Sequence, residues 1–362
     1  MTGPRDVLQK RVTRWKVQVL SGLSVQQEER ARQLHDESII LLAHDHFFPP
    51  QDLDDLRQGG VTAKILLAVI DTRPWTQDPE DYQESITQID GWFEYGRRIY
   101  EGILSEIDRQ PELVVIRSAE DAIEAKKKGK IGILLGAEGG KLIEHDLGNL
   151  SAFYQLGLRH IMLSWAYNNQ ITAGELDQSG GGLTEFGRQV IPEMNRLGMI
   201  IDITHISRPA MREVLQISSR PVLNSHTALK SISHRIPAMT EDEVRAVAEK
   251  GGVLALHFMT HMLTGQFEVR PTLDELMVQL AAIVNIAGID AVALGPDYLP
   301  YTEEHRRNTQ QPNLTFPRGL ESPAHMLNLT RALVQHGYDD TAIKKILGGN
   351  LMRLFRDTLV VN

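Results

Sequence analysis

Leu183-Thr-Glu-Phe-Gly-Arg-Gln-Val-Ile-Pro-Glu-Met-Asn-Arg-Leu-Gly-Met-Ile-Ile-Asp-Ile-Thr-His205 is the stretch on which the fold turns. Leu183–Leu197 has helical periodicity and stops at Gly198, a residue that tolerates the positive φ of a helix end. Met199–His205 then runs almost continuously apolar, as a parallel strand covered on both faces must. The run finishes on a histidine, a residue able to bind a metal. Seven further runs of the same kind can be read outward from it: Ile39–His44, Thr62–Ile70, Ile131–Ala137, Arg159–Trp165, Pro221–Ser225, Gly252–Phe258 and Ala291–Pro296. Helical segments separate most of them. Glu80–Arg109 reads as one or two long helices, and Thr240-Glu-Asp-Glu243 has capping-box spacing. Eight strands in about 260 residues fit an α/β architecture, a (β/α)8 TIM barrel, better than an open sheet. No glycine-rich phosphate loop follows any strand. An N-terminal helix precedes residue 39, Thr302–Pro323 is expected to be a long loop, and Met326–His336 and Thr341–Leu359 read as closing helices. The expectation is one domain over residues 1–362, with a barrel core from about 36 to 300 and C-terminal helices from about 324 to 359.

Composition narrows the function. The 362 residues are 42% hydrophobic and 23% charged, with a net charge of −9, which disfavours a nucleic-acid partner. There is no cysteine, so any metal must be held by His, Asp and Glu. The basic run Lys126–Lys130 is read as a helix end and solvated turn. Met1–Lys10 lacks the apolar core of a signal peptide and no stretch reaches membrane-spanning length, so a cytoplasmic protein with no membrane partner is expected.

Five of the eight runs end in, or just before, a possible metal ligand: His44-Asp45-His46, Glu138, His205, His226 and Asp297. In a parallel barrel the strand C-termini share one face, so these residues would converge there. Residues i and i+2 of an extended chain point the same way, which lets His44 and His46 reach one ion while Asp45 points elsewhere. Imidazole and carboxylate without sulfur suit zinc, with manganese, cobalt or iron as alternatives. Six ligands exceed the needs of one tetrahedral ion, and two ions sharing a carboxylate would use them all. His257 ends the seventh run and is a candidate for the pocket wall. His145, His160, His234, His305, His325 and His336 do not share the strand-end position and are read as surface or structural.

Longer motifs point the same way. Gly182–Ser207, Gly136-Ala-Glu-Gly-Gly140, Asn224-Ser-His226 and Leu347-Gly-Gly-Asn-Leu-Met-Arg-Leu-Phe355 resemble segments of the renal (membrane) dipeptidases, amidohydrolase-like metallohydrolases, and the resemblance runs from about residue 36 to 357. It implies a two-zinc site in which Glu138 bridges, His44, His46 and Asp297 serve the first metal, and His205 and His226 serve the second. It also implies hydrolysis of dipeptides and a homodimer. Four positions depart from the family pattern. His46 stands where the family usually has aspartate, and Trp165 where animal members carry a substrate-polarising histidine. Arg235 is two residues out of register with a carboxylate-binding arginine. Pro296-Asp297-Tyr298-Leu299-Pro300 lacks the usual second aspartate and glycine.

The mechanism expected from this ligand set is attack on the dipeptide amide by a metal-bridging hydroxide. Asp297 would carry the proton to the leaving amine, and Glu138 would hold the metals. Trp165, Arg235 and His257 are expected to contact substrate. The departures leave two alternatives: hydrolysis of another small amide, lactam, lactone or acyl-amino acid, or a barrel without catalysis.

Overall fold

The computed structural model describes residues 22–46, 52–73, 78–234, 238–265, 270–298 and 316–359. Nine strands lie among them: β1 (Leu41–Asp45), β2 (Ala63–Ile70), β3 (Leu113–Val115), β4 (Ile131–Glu138), β5 (Leu158–Met162), β6 (Ile200–Asp202), β7 (Leu223–Thr227), β8 (Val253–His257) and β9 (Val292–Gly295). Every pairing is parallel, and the order β1-β2-β4-β5-β6-β7-β8-β9 is sequential around the sheet. Helices separate neighbouring strands, among them Ala119–Lys127, Leu147–Leu156, Glu185–Leu197, Arg208–Ile217, Glu241–Glu249 and Leu273–Ala287. β1 and β9 meet through a parallel bridge between Asp45 and Tyr298. At that seam the Asp297 amide donates to the His44 carbonyl at 3.2 Å, and the His46 amide donates to the Tyr298 carbonyl at 3.2 Å. The eight-stranded parallel barrel is thus nearly closed.

All eight runs read from the sequence become strands. The ninth, β3, pairs with β4 at the edge of the barrel, with Leu113 opposite Ile131. At three residues it is too short to give a periodic signal.

Strand parity divides the core. Ala63, Ile65 and Leu67 of β2, Val253 and Ala255 of β8, and Ala293 of β9 gather in one apolar cluster with Leu351 and Phe355 of the C-terminal helix. Their alternates Leu66, Leu254, Leu256, Val292 and Leu294 join a second, larger cluster with the surrounding helices. The first set fills the barrel and the second glues helices to its outside, as the two-residue repeat of a strand requires.

Capping chemistry sets the helix ends. Thr240 and Glu243 form the capping box expected of them, and Ser24 and Gln27 form another at the start of the N-terminal helix Val25–Glu37. Gly198 ends Glu185–Leu197 at φ 74°, in the left-handed region. Glu80–Arg109 resolves into two helices, Pro79–Thr87 and Trp92–Arg109. Toward the C-terminus, Met326–Gln335 and Asp340–Thr358 are helical, the latter with one π turn over Lys345–Gly349. Of the long loop expected at Thr302–Pro323, residues 302–315 lie outside the described residues. No helix among the described residues is long and apolar enough to cross a membrane.

Candidate metal centre

Glu138 is the last residue of β4 and is 3% exposed. Around its carboxylate stand four imidazoles from three other strand tips. His44 Nε2 lies 3.7 Å from Oε1, His46 Nε2 lies 3.2 Å from Oε2, and His205 Nε2 lies 3.5 Å from Oε1. The Nε2 atoms approach in two pairs, joined where the Nδ1 atoms of His44 and His226 lie 3.0 Å apart. His44 and His46 bring their Nε2 atoms to 3.0 Å, and His205 and His226 bring theirs to 2.9 Å. Two triads result, His44–His46–Glu138 and Glu138–His205–His226, with Glu138 in both. Asp297 completes the first side: its Oδ1 is 3.6 Å from His44 Nε2 and 3.3 Å from His46 Nε2. The five strand tips read from the sequence therefore converge at one mouth of the barrel.

Backbone irregularity aims these side chains. The β1–β2 register shifts between Leu42 and Asp45, and the β7–β8 register shifts between Asn224 and Thr227. Those shifts fall on His44 and His226, where a bulge turns a side chain that regular pleating would send elsewhere. His205 and Asp297 adopt φ of 62° and 57°, a conformation that few non-glycine residues tolerate and that clusters at functional sites. Asp45, between the two histidines of its motif, points away and faces the buried Lys64 Nζ at 3.4 Å.

Hydrogen bonds fix the rings. His46 donates Nδ1–H to the Leu67 carbonyl at 2.9 Å, and His205 donates Nδ1–H to Glu175 Oε1 at 2.6 Å. Each leaves its Nε2 facing the centre. Ser225 Oγ lies between the other two, 3.0 Å from His44 Nδ1 and 3.2 Å from His226 Nδ1. Neither Glu175 nor Ser225 is among the strand-end ligands read from the sequence. Glu175 sits in an irregular segment, and its backbone N–H donates to the His205 carbonyl at 2.8 Å, which ties that segment to the ligand.

Charge follows the same plan. Burial works against a charged Glu138, yet His46, His44 and the bond from His205 hold its carboxyl well below the usual range. Burial likewise disfavours a charged His205, but Glu175 and Glu138 push it up to about 10, and His46 is raised well above its ordinary value by Glu138 and Asp297 against its own burial. Burial takes His44 down to about 4, and burial with the neighbouring His44 and His205 lowers His226 well below normal. The centre thus attracts positive charge on both sides of Glu138. Two ligands of a tetrahedral zinc sit about 3.3 Å apart when the metal–nitrogen bonds are 2.0–2.1 Å. The observed imidazole pairs, each bringing two Nε2 atoms toward one point, fit divalent metal ions that displace the protons held there.

The other expected site residues fall as follows. His257 Nε2 is 3.3 Å from Asp297 Oδ2, so it reaches the centre. The half-buried Trp165 ring meets that of His205 edge-on, with centroids 6.4 Å apart. Arg235 lies outside the described residues. His160 is fully buried and bonded to Asp202 Oδ2 at 3.0 Å, a structural role. A cavity of about 250 Å³ opens beside His205 and is lined also by Glu175, Asn224, Lys230 and Met239.

Comparison with known proteins agrees with this geometry. The model of the membrane dipeptidases, peptidase family M19, matches residues 50–362. The chain belongs to that family. Mouse (Mus musculus) Dipeptidase 3 is 28% identical to this M19 chain over 311 residues, covering 84% of it and 57% of the mouse protein, so the chain spans little more than half the length of that relative. An amidohydrolase from Pseudomonas aeruginosa is 24% identical, with a TM-score of 0.75 over 91% of this chain and 99% of that one. The probable dipeptidase PvdM from the same organism is 18% identical, with a TM-score of 0.78 over 93% and 99%. These two share the M19 chain's fold.

Proposed function

We propose that this chain is a zinc-dependent dipeptidase whose two metal ions share Glu138. The observation that carries the reading is a single buried carboxylate lying between two imidazole pairs. Membership of the M19 family supports the substrate class. His44, His46 and Asp297 would hold one ion and His205 and His226 the other. Bound there, divalent ions polarise a scissile carbonyl and lower the pKa of an attacking water toward neutrality.

The chain's own residues do the rest. Asp297 Oδ1 is buried and lies 3.6 and 3.3 Å from the Nε2 atoms of His44 and His46. Burial opposes its charge, but His46, His44 and His257 keep its carboxyl below the ordinary value, so it is ionised and able to take a proton. As water attacks, a C–O bond forms and Asp297 takes the proton. As the C–N bond breaks, Asp297 returns that proton to the leaving amine. Trp165 walls the His205 side.

The test measures metal content by elemental analysis on the sample that is assayed against a dipeptide panel. Metal bound in a 2:1 ratio, with turnover lost on chelation and restored by zinc, is expected. Metal-loaded protein inert toward every dipeptide would refute the substrate assignment. The indole at Trp165, where animal members place a polarising histidine, favours a second reading in which the substrate is another small amide or lactone. The same sample assayed on acyl-amino acids and lactones separates the two.

A further inference from the structure

We propose that His257 is a positioning residue for Asp297, a tautomer-locked donor that holds Oδ2 and leaves Oδ1 alone to face the metal ligands. The Met259 backbone N–H donates to His257 Nδ1 at 3.2 Å. A backbone amide can only donate, so Nδ1 is an acceptor, and the proton of the neutral ring sits on Nε2. That Nε2 lies 3.3 Å from Asp297 Oδ2. The ring is 3% exposed, at the last position of β8, where the register sets it beside Gly295, two residues before Asp297. The edge-on ring of His226, with centroids 5.1 Å apart, limits its rotation.

The division of the carboxylate has a chemical consequence. Asp297 sits at a positive φ, so its backbone is held by its surroundings. With Oδ2 beside His257, Oδ1 is the atom directed at His44 and His46, 3.6 and 3.3 Å from their Nε2 atoms. Outer hydrogen bonds commonly fix the orientation of metal-binding side chains, and His257 would do so for Asp297 when a metal is held there. The nitrogens and oxygens of His226, His257 and Asp297 are close enough to suggest a third ion. The locked tautomer argues otherwise, because the Nε2 that faces the site carries a proton and has no lone pair to give.

This inference rests on the reading of Asp297 above, so its test includes a readout that needs no substrate. The cobalt(II)-loaded wild-type protein is compared with His257→Leu, which lacks the donor, and His257→Gln, whose amide N–H reaches the same place. Metal content, visible absorption, kcat and KM are measured on each. Expected for His257→Leu are unchanged metal content and an altered cobalt spectrum, because a freed carboxylate changes the coordination geometry. Its kcat should fall about 10- to 100-fold while KM moves less than about threefold. His257→Gln should restore both spectrum and kcat. Should His257→Leu fail to fold, His257→Met supplies the donorless comparison.

Wild-type spectrum and kcat in the donorless variant would make His257 a bystander. Loss of metal would make it a ligand. A folded His257→Gln that rescues neither spectrum nor kcat would make its role one of packing. A wild-type protein inert toward dipeptides would sink the dipeptidase reading, while the spectra would still decide the role of His257.

Discussion

Removing the Glu175 carboxylate tests how strongly the site depends on a residue that is not itself a ligand. Glu175 Oε1 accepts the Nδ1 proton of His205 at 2.6 Å, and both side chains are nearly buried. The bond fixes the tautomer that aims Nε2 at the centre and raises the basicity of the ring. A hydrogen bond to a charged group contributes roughly 1.5–3 kcal/mol in proteins. Loss of a carboxylate behind a metal-binding histidine costs about 10- to 100-fold in affinity or activity, or about 1.4–2.7 kcal/mol. Two independent routes thus give the same size. Glu175→Ala should weaken metal binding on the His205–His226 side by that factor, and Glu175→Gln, which keeps an acceptor without the charge, should fall between. The backbone bond from the Glu175 amide to the His205 carbonyl survives both changes, so the segment stays docked and the loss reports the side chain. Affinity is read by competition against a chelator, with thermal denaturation as the control for folding. A change below about twofold in Glu175→Ala would show that His205 is oriented without it.

Further outcomes are expected. Glu138→Ala should abolish metal loading and turnover together, whereas Asp297→Asn should cut turnover far more than metal content; near-normal rates in Asp297→Asn would remove its proton role. Apparent metal affinity should rise with pH between about 6.5 and 10, by about tenfold per unit for each proton released, because binding must expel the proton that Glu175 and Glu138 hold on His205. By the same linkage, the metal-free protein loses a stabilising contribution as pH climbs through about 10, the folded value, having held it fully below 6.5; flat chelator titrations and melting temperatures across this range would contradict the assignment. Gly139→Ala should destabilise the protein by about 2–4 kcal/mol, since a Cβ there meets Asp71 Cγ at 2.1 Å and the backbone sits at φ 127°; chemical denaturation measures it.

What the sequence made legible followed from repetition. Each barrel strand is a short apolar run, and parallel geometry sends every run's C-terminal end to one face, so His44, His46, Glu138, His205, His226 and Asp297 could be brought together before any distance was known. The residues that act through others stayed hidden. Glu175 belongs to no periodic element, and only its contact with His205 gives it meaning. Ser225 looks like an ordinary strand residue until two imidazoles are found on its hydroxyl. His257 was visible as a run terminus, but its role depends on the Met259 amide, a contact that no spacing encodes. The left-handed backbone at His205 and Asp297 was equally silent, because Asp and His adopt a positive φ more often than most residues but still only rarely.

The seam of the barrel has one more implication. His44 and His46 stand on one side of the join and Asp297 on the other, and the strands there exchange the His46 and Asp297 amide bonds. A cation gripping both edges would act as a clasp. Breathing of the cylinder would then be slowest when that clasp is fastened, and deuterium uptake at the His46 and Asp297 amides would serve as a gauge of occupancy that requires no turnover.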